Sequence, residues 1–277
     1  LLVLLFLTVL VYSTTGSLTL TPLLNNEELL KKINSHPSAG WQAQSYKQFD
    51  GLTIEHARRD LSSFVVDESK PLQAFNPMTT NARLPRHFDS REQWPNCIGP
   101  IRNQEKCGSC WAFSGAEVLG DRFCIYSNGT EPITLSPQYL LNCDHSNLGC
   151  GGGVLGREWE FLLHHGTTLD SCTPYVSGPG GRVPACSAKC ADGSPVKLYK
   201  AKHAAHYVYT HVVKMMESLM NGGPLQMAFN VYQDFYLYKS GVYHHIAGGL
   251  VGGHAVKYIG WGTDDKTGLP YWIAANS

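Results

Sequence analysis

Apolar positions recur along this chain in two rhythms, and the change from one to the other divides it. Residues Leu1 to Tyr12 are almost wholly apolar and lead into Ser13-Thr14-Thr15-Gly16. Such a run is shorter than the roughly 20 residues of a membrane-spanning helix, and small residues follow it, which predicts a secretory signal peptide over 1–16. Leu29, Leu30 and Ile33 predict a helix over 26–33. Ala112, Ala116, Leu119 and Phe123 recur at i, i+4, i+7 and i+11, one face of a 3.6-residue period, with Ser109 as a cap just before it. Ser136 and Pro137 open another helix running to Cys143. Trp159, Phe161, Leu162 and Leu163 mark a third, ending at His164-His165 before Gly166, and Met215, Met216, Leu219 and Met220 mark a fourth. After the turn Asn221-Gly222-Gly223, the rhythm shortens to the alternation of strands over 224–232, 254–260 and 271–276. His254 opens the second of these directly after Gly252-Gly253. If the last two strands pair about a turn centred near residue 265, His254 and Asn276 stand 11 positions to either side and become neighbours, within a one-residue bulge.

Charge adds little to this picture, and cysteine a great deal. The formal net charge is zero, so nothing argues for a nucleic-acid partner, and no basic amphipathic helix argues for a membrane once the signal is removed. All nine cysteines lie between Cys97 and Cys190. Behind a signal peptide that clustering implies disulfides, and an odd count leaves at least one cysteine without an intramolecular partner. Cys107 and Cys110 also fit a redox pair or half of a zinc site, although a redox pair would leave seven others, again odd. Cys110 has a further property: it sits in the first turn of a helix, against the positive end of the dipole, where a thiolate is favoured. Cys150-Gly151-Gly152-Gly153 is too rich in glycine for the interior of a helix or strand. It suits a groove wall that hydrogen-bonds extended peptide better than a phosphate cradle, since no Lys-Ser/Thr follows it. Asn128-Gly129-Thr130 is a glycosylation sequon in a polar turn.

From Gln104 to Phe113 the sequence reads Gln-Glu-Lys-Cys-Gly-Ser-Cys-Trp-Ala-Phe, which resembles the active-site helix of papain-family cysteine proteases. The branch it is most similar to is cathepsin B, through Leu84-Pro85, Phe88-Asp89 and Arg91-Glu92-Gln93-Trp94-Pro95. The resemblance implies an α+β, two-lobed papain-like fold with a helical, disulfide-stapled left lobe and a β-rich right lobe. It implies Cys110 as nucleophile, His254 of Gly-Gly-His-Ala as base, Asn276 of Asn-Ser as the residue orienting the imidazole, and Gln104 as oxyanion donor. Gly152 and Gly153 would hold substrate backbone, and Ala228 and Ala255 would line the substrate pocket. Gly151 replaces the family's asparagine, which puts the rigidity of that loop in question. The implied disulfides are Cys97–Cys124, Cys107–Cys150, Cys143–Cys186 and Cys172–Cys190, leaving Cys110.

Trp41-Gln42-Ala43 and Phe49-Asp50-Gly51-Leu52-Thr53 are similar to the cathepsin B propeptide, which implies a zymogen with a propeptide over 17–83 and a peptidase domain over 84–277. The missing initiator methionine, and the family's continuation past Asn-Ser, imply a sequence that extends beyond both ends. Cathepsin B carries a histidine-bearing occluding loop where this chain has the short stretch 173–185, flexible by its Gly178-Pro179-Gly180-Gly181. His164-His165 reads as a helix C-terminus instead of a substitute for those histidines. The expected protein is thus a monomeric cysteine endopeptidase of the secretory pathway, in a lysosome-like vacuole or outside the cell. It would act on peptides and proteins, be held by its own propeptide, and need no cofactor or metal. A binding module without turnover and a thiol–disulfide oxidoreductase are the rivals.

Overall fold

The strands predicted for the second half form one antiparallel sheet, and the helices of the first half pack beside it. The computed structural model describes residues 23–61, 84–202 and 212–277. The expected signal peptide and the stretch 62–83 before the expected peptidase domain lie outside the described residues.

An N-terminal segment comes first. Helix α1 (Glu27–Asn34) starts at Asn26, whose side chain accepts from Leu29 N–H, and buries Leu29 and Ile33. Strand β1 (Trp41–Ala43) and helix α2 (Ile54–Asp60) follow. After β2 (Phe88–Asp89) and the single turn α3 (Ser90–Gln93), helix α4 (Cys110–Tyr126) forms the spine of the left lobe. One apolar face was expected of α4, yet every residue from Cys110 to Asp121 is buried. Helices α5 (Pro137–Cys143) and α6 (Leu155–His164) close over it with Leu140, Leu141, Trp159 and Leu162. At α5, Ser136 Oγ accepts from Tyr139 N–H and Pro137 takes the first turn, where its missing N–H costs nothing. Ser109 precedes α4 without capping it through its side chain. The hydroxyl instead donates to the Cys107 carbonyl at 3.3 Å and meets Tyr175 Oη at 3.0 Å. Four disulfides staple this lobe: Cys97–Cys124, Cys107–Cys150, Cys143–Cys186 and Cys172–Cys190.

The right lobe holds α7 (Val212–Gly222), β3 (Leu225–Tyr232), β4 (Tyr238–Gly241), β5 (Leu250–Thr263) and β6 (Pro270–Ala275). The long β5 pairs with β2, β3 and β6, while β4 pairs with β1 of the N-terminal segment. Phe88, Met215, Leu219, Leu225 and Trp261 form the core beneath the sheet. Lys257 of β5 is 1% exposed and reaches across to α4, with its Nζ 2.8 Å from Asp121 Oδ2 and 3.9 Å from Glu117 Oε2.

Two expectations about β5 need correction. His254 does not open the strand: β5 begins at Leu250, and Gly252 and Gly253 already pair with Val231 and Asn230. Nor do His254 and Asn276 face each other. Lys257 pairs with Ala275, so the register runs Asn276 out opposite Val256, two positions from His254. The turn is centred later than residue 265 because Asp264 N–H closes on Leu269 O, with the Asp264 carboxylate accepting from Lys266 and Thr267 N–H. A bulge between Tyr258 and Gly260 shifts the pairing again.

Candidate active site

The start of α4 and the middle of β5 meet where the two lobes adjoin. Cys110, the cysteine outside the disulfides, is buried at the first turn of α4. The Ala255 N–H of β5 donates to its sulfur at 3.5 Å. Next to Ala255 lies His254, 6% exposed, with Phe229 as its cross-strand partner and an edge-on ring contact with that phenyl. The His254 Nε2–H donates to Asn276 Oδ1 at 2.6 Å. Asn276 is a diagonal neighbour, still within side-chain reach on an antiparallel pair, so the contact survives the shifted register. Burial alone would lower the imidazole pKa. The charge and hydrogen bond of Cys110 and the bond to Asn276 together outweigh it and hold His254 above its ordinary range. The surroundings of His254 thus favour its protonated form.

Gln104 lies beside this pair. Its Nε2 donates to the Cys107 carbonyl at 3.0 Å and to the Asp60 carbonyl at 2.7 Å, while its buried Oε1 has no hydrogen-bond partner. Asp60 ends α2, so the N-terminal segment crosses the cleft at this donor. Nothing in the pattern of apolar positions could have revealed that contact. The segment is anchored farther along the right lobe, where Trp41 packs between Tyr238 and Tyr243 and donates its indole N–H to His244 O at 3.0 Å.

Gly152 and Gly153 belong to the left lobe, with Gly153 packed against Trp111, the residue after Cys110. Gly152 has φ of +110°, which L side chains rarely adopt, and a Cβ on Gly153 would stand 2.5 Å from Trp111 Cδ2. The loop is firmly held despite glycine at 151: Leu148 N–H bonds Gly152 O at 2.9 Å and Trp111 Nε1–H bonds Gly149 O at 3.0 Å. On the other side of Gln104, hydrogen bonds tie the first part of the 173–185 stretch to the left lobe. Tyr175 Oη–H donates to Gln104 O at 2.7 Å, Lys106 N–H to Gly178 O at 3.1 Å, and Gln138 Nε2–H to Ser177 Oγ at 2.8 Å. Ala228 and Ala255 are cross-strand partners on β3 and β5, close to Cys110. Asn128 lies far along, in the turn after α4, with φ of +53°.

Comparison with known proteins agrees with this geometry. The profile of the papain family cysteine proteases matches residues 84–277. A Giardia intestinalis protein, cathepsin B-like CP2, is 41% identical over 92% of this chain and 85% of its own length. A Schistosoma japonicum cathepsin B-like cysteine proteinase is 34% identical over 91% of this chain and 82% of its own. Among solved structures, procathepsin B S9 from Trypanosoma congolense superposes with a TM-score of 0.81 at 32% identity, covering 91% of this chain and 88% of that one. With its helical, disulfide-bonded lobe set against an antiparallel sheet and a buried cysteine and histidine between them, the chain belongs to the papain family of cysteine proteases and is cathepsin B-like.

Proposed function

We propose that this cysteine peptidase is an endopeptidase that works through a Cys110–His254–Asn276 thiolate mechanism and is made as a zymogen. The carrying observation is the constellation itself, a buried sulfur at a helix N-terminus interacting with an imidazole whose other nitrogen is held by Asn276 at 2.6 Å. In this reading the Cys110 thiolate attacks the scissile carbonyl, and the carbon–nitrogen bond breaks as imidazolium His254 gives its proton to the leaving amine. Water, deprotonated by the same imidazole, then releases the acyl group from sulfur. Gln104 Nε2–H and the Cys110 backbone N–H would stabilise the oxyanion. Gly152 and Gly153 would hold extended substrate, with Ala228 and Ala255 lining its side-chain pocket.

Residues 17–83 would act as the propeptide and 84–277 as the peptidase domain. Support comes from Asp60, whose carbonyl occupies the Gln104 donor that an oxyanion would need. The stretch 173–185 has no histidine and Arg182 as its only charge, so it offers little to a substrate's C-terminal carboxylate, which favours cleavage within chains. Working in the secretory pathway fits the signal-like start.

Two measurements test this reading. Cys110→Ser abolishes hydrolysis and labelling by a thiol-reactive epoxide; labelling that persists elsewhere overturns the nucleophile. A peptide with a free C-terminus and its amide are cleaved at similar rates. Stepwise release of dipeptides from the free acid overturns the endopeptidase assignment.

A further inference from the structure

One buried carboxyl is absent from this mechanism yet is connected to it. Glu158 on α6 is 0% exposed, and its Oε1 is buried without a hydrogen-bond partner. That oxygen lies against Gly115 of α4, where any Cβ would collide with it. Glycine at this point of a packed helix is what admits the carboxyl. The other oxygen, Oε2, accepts from Gln226 Nε2 at 2.8 Å. The same amide nitrogen is 2.8 Å from Trp111 O and 2.9 Å from Ser114 Oγ, and the Ser114 hydroxyl donates to the Cys110 carbonyl at 2.7 Å. Gln226 Oε1 is fixed in turn by Trp159 Nε1–H at 2.6 Å. Glu158 is therefore linked through two side chains to the backbone turn that carries the nucleophile.

Building on the proposed role of Cys110, we propose that Glu158 is a positioning residue for the nucleophile: its Oε2 holds the Gln226 amide that bridges to the first turn of α4, and on losing its proton it disfavours the thiolate. Among the described residues no cation offsets its charge. Burial opposes its ionisation most, the Gln226 amide of β3 favours it by donating to Oε2, and the charges of Asp144 at the end of α5 and of Cys110 on α4 oppose it. Burial is the largest influence, and it holds the carboxyl well above the ordinary range. The interaction is reciprocal: a thiolate at Cys110 keeps Glu158 protonated, and an ionised Glu158 returns the ion pair toward thiol and neutral imidazole.

The test follows alkylation of Cys110 by iodoacetamide across pH, for the wild type and for Glu158→Gln, which keeps the shape and is neutral at every pH. The plateau assigned to the thiolate–imidazolium pair should reach about half a pH unit or more further into the alkaline range in E158Q. A profile that superimposes on the wild type, or a rate lowered equally at all pH values, overturns the proposal and leaves Glu158 a packing residue. If Cys110 in the wild type reacts no faster than an ordinary thiol, the catalytic reading fails instead, so the two failures are distinguishable. A second measurement uses the wild type alone. The infrared band of a protonated carboxylic acid should persist at neutral pH and be lost at lower pH once Cys110 is capped by carbamidomethylation. A band that is absent, or that does not respond to capping, overturns the coupling.

Discussion

Replacing Lys257 by methionine tests how the lobes are held together beside the site. The Lys257 Nζ lies 2.8 Å from Asp121 and 3.9 Å from Glu117, all three side chains being nearly inaccessible. Asp121 also accepts from Gly99 N–H, and Glu117 from the Ser277 hydroxyl next to Asn276. Methionine keeps the apolar stem but removes the ammonium between the two carboxylates, leaving Glu117 only the weaker cationic influence of Arg102. Breaking a buried pair by removing one partner costs about 3–5 kcal/mol. For a domain of this size, about 4 kcal/mol corresponds to a fall in Tm of roughly 8–16 °C.

The loss should depend on pH. Burial already holds both carboxyls above their ordinary range, and Lys257 opposes that shift. A carboxyl raised in the folded state binds its proton more readily folded than unfolded, so stability falls as pH rises from the unfolded value of about 4 through the folded one. Removing the lysine raises both further and deepens the fall. Calorimetry of the full chain should therefore show the full loss at about pH 7 and a much smaller one at about pH 4.5. Lys257→Arg should recover most of it. A K257M chain that loses less than about 1 kcal/mol, or loses equally at both pH values, would refute the reasoning.

Other perturbations address the site more directly. Asn276→Ala removes one of the bonds that raise His254. The imidazolium is present below the folded pKa and lost as pH rises through it, so the alkaline limb of kcat/KM should move to lower pH, as a pH–rate profile would show. Gly153→Ala forces a methyl to within 2.5 Å of the Trp111 ring and should destabilise by about 1–3 kcal/mol in denaturant titration. Trp41→Ala empties a site buried against Tyr238 and Tyr243, costing about 3–5 kcal/mol of segment docking. The unprocessed precursor should then hydrolyse a small fluorogenic peptide faster than the wild-type precursor does.

Local chemistry made part of this protein readable in advance. The helix expected over 26–33 and the Ser136-Pro137 opening of α5 are decided by a few adjacent atoms, and they stand in the structure within a residue of where the sequence puts them. The alternation around Phe229 and Val256 marked strands for the same reason, since side-chain direction repeats every second residue. What escaped the sequence depends on distant partners. Whether Ser109 caps α4 or turns toward Tyr175 is settled by a loop 66 residues away. The burial of α4 on nearly every side comes from α5, α6 and β5 closing around it, and no period within the helix encodes that. The pairing of β5 with β6 was fixed by the Asp264 turn and a bulge, so His254 and Asn276 meet on a diagonal, although their juxtaposition was visible in outline. The Asp60 carbonyl on Gln104 and the Glu158–Gln226–Ser114 bridge join residues 44, 68 and 112 positions apart. Each is a polar group removed from water that must find a partner across the fold, a requirement that only the tertiary structure could meet.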